Sequence, residues 1–335
     1  MSDFDPPASD RAFAPGPFHG MGFEAAYAGA PSFLRRRWSK ALDGVDVAVV
    51  GVPLDLATSH RPGARLGPAA IRAASAQLAW GPQWPWGFDP FATLAVADWG
   101  DIAWDFGRPE TMPDAITQQA VTIGRAVPRV LALGGDHFVT LPLLRAQAAL
   151  GRTPLSVVHF DAHCDTWKTD QTPGRPARID HGSFMWHAVD EGLVAPERSI
   201  QVGLRTHADE TLGFHQLDAE QLDALSPDVV AARICEVVGA HPVYLTFDID
   251  CLDPAYAPGT GTPVVGGPTT ARIRAILRRL AGIRLIGMDV VEVSPPFDHA
   301  QLTSLAAASI AFDLLCLAAR SPADETAARD RDAGR

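Results

Sequence analysis

The sequence of 335 residues predicts an α/β fold with a mostly parallel sheet and helices on both of its faces. Three observations support this prediction. Strand-like and helix-like patterns alternate along the chain, the strand-like stretches are continuous apolar runs, and polar clusters directly follow several of them. Because 47% of the residues are apolar and no linker-like segment interrupts the middle, the chain can form one large domain.

Each element is predicted from its own pattern, in chain order. The apolar, β-branched runs predict strands at Val45–Gly51, Thr93–Ala97, Arg129–Leu133, Leu155–Phe160, Ser199–Gly203, Pro242–Phe247 and Ile283–Val290. The stretches between and after them predict helices at Pro68–Leu78, Pro113–Ala126, Thr140–Leu150, Pro227–Val238, Thr270–Leu280 and Leu302–Ala319. Ser226 followed by Pro227 is typical of a helix start, and Gly239 of a helix end.

The two ends of the chain are predicted to lie outside this domain. Residues 1–40 are rich in Pro, Gly and Ala, which predicts an N-terminal arm that lies on the surface or on a neighbouring subunit, with a flexible tail as the alternative. A single domain is expected over residues 41–320. Residues 321–335 are charged and predict a disordered tail.

The amino-acid composition indicates which classes of partner and which cellular compartment to expect. A net charge of −11 and a pI near 5.4 argue against nucleic acid or an anionic membrane, and favour a cationic small substrate weakly. The 4 cysteines form no CxxC pair, which fits a reducing cytoplasm, and the start resembles no signal peptide. The apolar stretch Leu305–Ala319 contains Asp313 and is expected to be too short to span a bilayer.

Carboxylates and imidazoles are clustered directly after three of the predicted strands. Residues two apart in an extended segment point to the same side, so alternate side chains of each cluster can converge on one ion. Any single cluster could be a tight turn or a solvated loop, but three at strand ends predict a metal centre. The candidate ligands are His137, Asp161, His163, Asp165, Asp248 and Asp250.

This ligand set suits two divalent cations. Four carboxylates without cations would repel one another and raise their pKa values, whereas two divalent ions balance their charge. Oxygen and nitrogen ligands suit manganese better than zinc. Two ions about 3.5–4 Å apart can lower the pKa of a shared water toward about 7, so hydroxide is the expected nucleophile.

Longer motifs around these residues resemble the ureohydrolase family of arginases and agmatinases, and agmatinases in particular. The resemblance extends from about Val45 to Ala319. It is carried by the motifs Gly51–Asp55, Arg61–Pro68, Gly134–Thr140, His159–Asp165, Thr246–Pro254, Ala257–Pro263 and Gly287–Val293.

The resemblance implies a three-layer arginase-like α/β fold, two Mn²⁺ ions per chain with Ni²⁺ as the alternative, and a homo-oligomer, either a trimer or a hexamer. It also implies how the ligands are shared between the ions. One ion takes His137, Asp161, Asp165 and Asp248, and the other takes Asp161, His163, Asp248 and Asp250. Asp161 and Asp248 therefore bridge the two ions.

The resemblance further implies the catalytic residues, which are Asp165, His181 and Glu292. Glu292 would hold the guanidinium group, because a carboxylate can accept paired N–H donors from a planar cation. His181, in the motif Asp180–Ser183, would move protons, including to the departing amine. Without the resemblance these two residues read as a loop carboxylate and a surface histidine. Substrate contacts are expected from Glu292, His181 and Trp167.

The implied reaction is hydrolysis of a guanidino compound to urea and an amine, with agmatine giving putrescine as the first choice. Guanidinobutyrate, guanidine and alkylguanidines or biguanides stay open, because the segment Trp167–Ile179 carries Lys168, Arg175 and Arg178 close to the expected site. A non-catalytic ureohydrolase-like subunit and a metal-dependent deacetylase are disfavoured alternatives. His159, inside a predicted strand, reads as a core histidine.

Overall fold

A nine-stranded parallel sheet forms the centre of the computed structural model, which describes residues 26–79, 82–169, 179–207 and 210–322. The strand order is β1-β3-β2-β4-β9-β8-β5-β6-β7, and every neighbouring pair is parallel. The predicted mostly parallel sheet is therefore confirmed. The strands are β1 (Arg37–Trp38), β2 (Val47–Val52), β3 (Val96–Asp101), β4 (Arg129–Gly134), β5 (Ser156–Phe160), β6 (Ile200–Leu204), β7 (His215–Asp218), β8 (Pro242–Asp248) and β9 (Arg284–Val291).

Helices cover both faces of this sheet. They are α1 (Gly67–Ser75), α2 (Met112–Ala126), α3 (Thr140–Ala149), α4 (Phe184–Asp190), α5 (Ala219–Ala224), α6 (Pro227–Val238), α7 (Thr270–Leu277) and α8 (Leu302–Arg320). Apolar side chains of α1, α6, α7 and α8 pack on one face, and those of α2, α3 and α4 on the other. Within β4, Leu131 and Leu133 belong to the first core while Val130 and Ala132 belong to the second. Burial on both faces explains why the strands read as continuous apolar runs.

The elements that the sequence failed to predict are short or polar. β1 has two residues, and β7 is a mostly polar edge strand that exposes His215 and Asp218 and buries Leu217. Helices α4 and α5 have only seven and six residues. Helices α1 and α7 are shorter than predicted. Their last predicted residues, Ala76–Leu78 and Arg278–Leu280, form 3₁₀ turns. The predicted cap is present, since Ser226 Oγ accepts the N–H of Val229 at 3.3 Å.

The end of the predicted N-terminal arm is part of the domain core. Phe33 and Leu34 are buried, and Arg37 and Trp38 pair with β3. Residues 1–25 and 323–335, which hold most of the predicted arm and tail, lie outside the described residues.

Helix α8 is a core helix, although its 19 residues and mean hydropathy of 1.9 would allow it to cross a membrane by length and composition. The protein itself buries 83% of that apolar window. Asp313 is tolerated in this helix because its carboxylate is fully bonded. It accepts the indole N–H of Trp86 at 2.7 Å and two hydrogen bonds from the Arg274 guanidinium at 2.7 and 2.9 Å.

All strands end at one edge of a parallel sheet, and this geometry positions the candidate site. β4, β9, β8 and β5 are adjacent in the centre of the sheet, so the loops that follow them lie side by side. Gly135, directly after β4, allows a close approach of two backbones, because a Cβ there would lie 2.1 Å from the carbonyl oxygen of Leu54.

We predict that Asp313→Ala lowers the free energy of unfolding by about 3 kcal/mol. This is the lower end of the range for breaking a buried ion pair, because the Arg274 side chain stays 21% exposed. Urea unfolding followed by circular dichroism measures the change. Asp228→Ala removes the carboxylate of the exposed pair with Arg279 and serves as the control, with a nearly unchanged midpoint. Equal midpoints for the two variants would contradict the structural role of Asp313.

Candidate metal centre

The six candidate ligands converge at the carboxyl ends of β4, β5 and β8. Around the Nδ1 atom of His137 lie the Oδ2 atoms of Asp161 at 3.0 Å, Asp165 at 3.1 Å and Asp248 at 3.2 Å. Around the Nδ1 atom of His163 lie Asp250 Oδ2 at 3.1 Å and Asp161 Oδ1 at 3.3 Å. Asp161 thus faces one imidazole with each oxygen and joins the two groups.

The carboxylates carry more negative charge than this buried site can hold alone. Burial, together with the charge of neighbouring carboxylates, raises the pKa values of Asp165, Asp248 and Asp250. Asp161 differs: burial disfavours its charge, but the imidazoles of His159, His137 and His163 hold its pKa well below the usual range. A site that shifts its own carboxylates toward the neutral form is one that cations would stabilise.

Divalent cations fit this site because a lone pair of His137 points at the carboxylates. Its Nε2 lies 2.8 Å from Thr246 Oγ1, and that hydroxyl donates its proton to Asp289 Oδ1 at 2.6 Å. Thr246 must therefore accept from His137, so Nε2 carries a proton and Nδ1 carries the lone pair of the neutral ring, the form that binds a metal. Nδ1 is buried without a hydrogen-bond partner, although three carboxylates surround it. Burial disfavours a charged His137 ring, but hydrogen bonds to these carboxylates raise its pKa well above the usual range, so without a metal a proton occupies this space. A metal cation would take the place of that proton.

Asp289 keeps this arrangement fixed and was missed by the sequence analysis. Its carboxylate is fully buried and also accepts the hydroxyl groups of Thr140 at 2.9 Å and Tyr244 at 2.8 Å. The signal for its role was available, since Thr246 and Asp289 are polar residues inside otherwise apolar strands. Arg205 was missed as well. Its guanidinium donates to the carbonyl groups of Asp250 at 2.6 Å and Cys251 at 3.0 Å, and so clamps the loop after β8.

Glu292 directly follows β9, and its backbone lies in the left-handed region with φ of 64°. Oε1 accepts the backbone N–H of His137 at 2.9 Å and faces His181 Nδ1 at 2.9 Å. Oε2 is buried and has no hydrogen-bond partner among the described residues. Gly261 leaves room beside this oxygen, because a Cβ on it would lie 3.2 Å away. Glu292 therefore presents one free acceptor next to the cluster.

His181 links Glu292 to a residue that the sequence analysis did not select, Ser59. The Nε2 atom of His181 accepts the backbone N–H of Ser59 at 3.0 Å and lies 2.7 Å from its hydroxyl oxygen. Burial disfavours the charged ring, but the hydrogen bond and the charge of Glu292 outweigh this and raise the pKa of His181 to about 9. The Ser59 N–H opposes the shift, because a protonated Nε2 would face another donor.

A cavity of about 270 Å³ opens over the cluster. Its lining includes Ser59, Asp165, Trp167, Asp180, His181 and Asp248. The ring of Trp167 packs against Gly182. The backbone N–H of Trp167 donates to the backbone carbonyl of Gly182 at 3.2 Å. Glu292 lies behind this lining and is fully buried. Most of the predicted segment Trp167–Ile179, including Arg175 and Arg178, lies outside the described residues.

The sequence pattern of the arginase family matches residues 45–316. The chain belongs to the arginase family. The resemblance in the motifs is confirmed, and solved structures confirm the arginase-like fold. A crystal structure described as a hypothetical agmatinase from Burkholderia thailandensis is 53% identical, with a TM-score of 0.84 over 88% of this chain and 92% of that one.

Two other proteins are similar to the chain over most of its length. The agmatinase of Chromobacterium violaceum is 50% identical over 299 residues, which cover 89% of this chain and 92% of the relative. The proclavaminate amidino hydrolase of Streptomyces clavuligerus is 38% identical, with a TM-score of 0.83 over 89% of this chain and 99% of that one. The family pattern therefore extends from the start of β2 into α8 and includes most residues of both cores.

We predict that Asp248→Asn abolishes turnover and lowers the bound metal below about two ions per chain, because it removes one of two shared carboxylates. Metal analysis after dialysis against Mn²⁺ measures the loss. Asp253→Asn changes a carboxylate of the same loop that bonds only backbone amides in the described structure, at Ala255, Gly266 and Gly267, and should keep both ions. Two tightly held ions and near-normal activity in Asp248→Asn would refute the assignment.

Proposed function

We propose that this chain is an agmatinase, which hydrolyses the guanidino group of agmatine to give urea and putrescine. The observation that carries the proposal is the buried, unpartnered Oε2 of Glu292 beside the cluster of carboxylates. Such an oxygen lacks a cationic donor, and a planar guanidinium supplies N–H groups in the geometry that a carboxylate accepts. Identity of 50% to the agmatinases of Chromobacterium violaceum and Proteus mirabilis supports agmatine as the substrate.

The six clustered residues would hold two divalent cations, and Asp161 and Asp248 would serve both. Oxygen and nitrogen ligands favour Mn²⁺, with Ni²⁺ as the alternative. When bound, the cations would neutralise the carboxylates and activate a water for attack on the guanidinium carbon. Asp165 lines the cavity as well as facing His137, so it can also accept a hydrogen bond from that water. This is the catalytic role that we propose for it.

Protons would move through His181 and Ser59. The Nδ1 of His181 is held by Glu292, while Nε2 faces the Ser59 hydroxyl, and both residues line the cavity. The imidazole can therefore take up a proton on the cavity side and deliver it, directly or through Ser59, to the departing amine. Because His181 also orients Glu292, one residue would couple guanidinium binding to proton transfer.

The cavity lining favours a substrate with a second positive charge. Asp180 lines it and is not one of the six proposed metal ligands, and none of the described lining residues is Lys or Arg. We propose that Asp180, at the cavity wall, attracts the distal ammonium of agmatine, while Trp167 contacts its carbon chain. Lys168, which motivated guanidinobutyrate as an alternative, places its ammonium 5.4 Å from the Trp186 ring centroid and is not part of the lining.

The assembly and the compartment are part of the same proposal. The resemblance implies a homo-oligomer, either a trimer or a hexamer. All 4 cysteines of the chain are free thiols, which suits the reducing cytoplasm. A non-catalytic role is disfavoured because the complete ligand set and both proposed catalytic partners, His181 and Glu292, meet at one site.

Urea release across a panel of guanidino compounds tests the substrate. With Mn²⁺ bound, we expect kcat/KM for agmatine to exceed that for guanidinobutyrate and dimethylguanidine by at least tenfold, about 1.4 kcal/mol of transition-state binding. Asp180→Asn should narrow this preference, whereas Asp190→Asn, an exposed carboxylate outside the cavity, should not. A tenfold preference for guanidinobutyrate or dimethylguanidine would overturn agmatine as the substrate and leave the metal centre standing.

We predict that His181→Ala lowers kcat by about 10²–10⁴-fold, the range typical of proton transfer, while the bound metal stays close to two ions. Urea release and metal analysis on the same sample measure both effects. Partial rescue by added imidazole would support the proton role. If metal and activity fell together, His181 would instead be a ligand.

A further inference from the structure

We propose that His159 is a positioning residue of the metal centre and not a ligand, and that a row of hydrogen bonds from β7 to β5 fixes which of its ring nitrogens carries the proton. The proposal rests on the metal centre described under the proposed function. It assigns roles to His159, Gln201 and Gln216, three buried or half-buried polar residues of the sheet.

His159 could be a ligand by position alone. Its ring nitrogen lies with the ligand atoms of His137, Asp161 and Asp165, all within 4.8 Å of one another. The ring is fully buried between His137, whose ring centroid is 5.0 Å away, and Phe184 at 6.0 Å. A histidine in this place either coordinates an ion or supports a residue that does. The hydrogen bonds of the ring distinguish the two roles.

The orientation of Gln201 determines the state of the first ring nitrogen. Its side-chain nitrogen lies 2.6 Å from the carbonyl oxygen of Cys164, and a carbonyl can only accept. The amide is therefore oriented with its NH₂ group on that side. The same NH₂ group lies 3.1 Å from Nδ1 of His159, so Nδ1 accepts a hydrogen bond. The Gln201 oxygen accepts the side-chain N–H of Gln216 at 3.0 Å, which fixes the amide from the other end.

The second ring nitrogen of His159, Nε2, must then be a hydrogen-bond donor. With the lone pair on Nδ1, the proton lies on Nε2, which donates to Asp161 Oδ2 at 2.8 Å. Neither nitrogen keeps a lone pair that could bind a metal. The other oxygen of Asp161 accepts the backbone N–H of His163 at 2.6 Å. Asp161, the proposed bridge between the two ions, is thus held by a donor at each oxygen.

The register of the sheet builds this row. His159, Gln201 and Gln216 lie directly opposite one another on β5, β6 and β7. On the other side, Thr246 of β8 lies opposite His159, and Asp289 of β9 lies opposite Thr246. One transverse row of polar side chains therefore orients Asp161 through His159 and orients His137 through Thr246. A shift of one residue in the register of any of these strands would turn its polar side chain to the other face of the sheet.

Gln201→Glu tests the proposal with almost no change in shape. A carboxylate cannot donate to Nδ1, so Nδ1 of His159 should carry a proton in this variant and donate it to the new carboxylate. Nitrogen-15 NMR of the metal-free, full-length chain reads the tautomer. We expect the Nε2–H form in the parent protein, with the signal assigned by its loss in His159→Gln, and the Nδ1–H form in Gln201→Glu.

Isothermal titration of the metal-free chain with Mn²⁺ gives a second readout, independent of activity. Loss of a residue that hydrogen-bonds to a metal ligand typically weakens metal binding about 10–100-fold. We expect Gln201→Glu and His159→Phe to weaken Mn²⁺ binding at least tenfold. His159→Gln, which keeps a side-chain N–H donor, should lose less. Gln147→Glu changes another buried glutamine, outside the row, and should bind Mn²⁺ like the parent protein.

Several outcomes would overturn the proposal. They are an Nδ1–H tautomer in the parent protein, unchanged Mn²⁺ affinity in Gln201→Glu, and equal losses in Gln201→Glu and Gln147→Glu. Failure of the proposed function has a different signature. A chain that releases no urea from agmatine would still give the tautomer and the Mn²⁺ affinity, because neither measurement uses substrate.

Discussion

Negative charge gathered in a buried place is the constraint on which the site depends. Asp161, Asp165, Asp248 and Asp250 meet at one edge of the sheet. Burial and repulsion from neighbouring carboxylates disfavour the ionised forms of Asp165, Asp248 and Asp250, while three imidazoles keep Asp161 ionised. Without cations the protein can relieve this only by binding protons, as the raised pKa values indicate. Two divalent cations would instead balance these charges, and metal binding would then stabilise the folded chain.

Around this cluster, the protein controls which atoms donate and which accept. The buried lone pair of His137 exists because Thr246 and Asp289 take the other ring nitrogen, and both lie in strands that are otherwise apolar. Buried polar groups are costly unless every one is satisfied, so a row of them inside a sheet is retained only where it does something that apolar residues cannot. Here it orients ligands that would otherwise have free rotation and a choice of tautomer.

Two of the three proposed catalytic residues, Asp165 and Glu292, have a left-handed backbone. Asp165 and Glu292 have φ of 53° and 64°, a region that costs a non-glycine residue about 1–3 kcal/mol. Both follow central strands of the sheet, whose packing can hold the strained residues in place. The strain turns the Glu292 carboxylate back toward His137 and His181, so that one oxygen is used by the protein and the other stays free for a substrate. Rigidity of the sheet and chemistry of the site are thus linked through single residues.

The sequence by itself determined the parallel sheet, the helices α1, α2, α3, α6, α7 and α8, and the residues that cluster at the strand ends. These features are local: apolar runs reveal strands buried on both faces, and carboxylates at strand ends must meet at one edge. It could not determine the edge strand β7, because Leu217 is the only apolar residue among its four and one such residue gives no periodic pattern. Nor could it assign Ser59, Gln201 or Asp289, whose roles come from atoms far away in the chain. Only the tertiary structure decided these contacts, because strand register and strand order determine which distant side chains share a hydrogen bond.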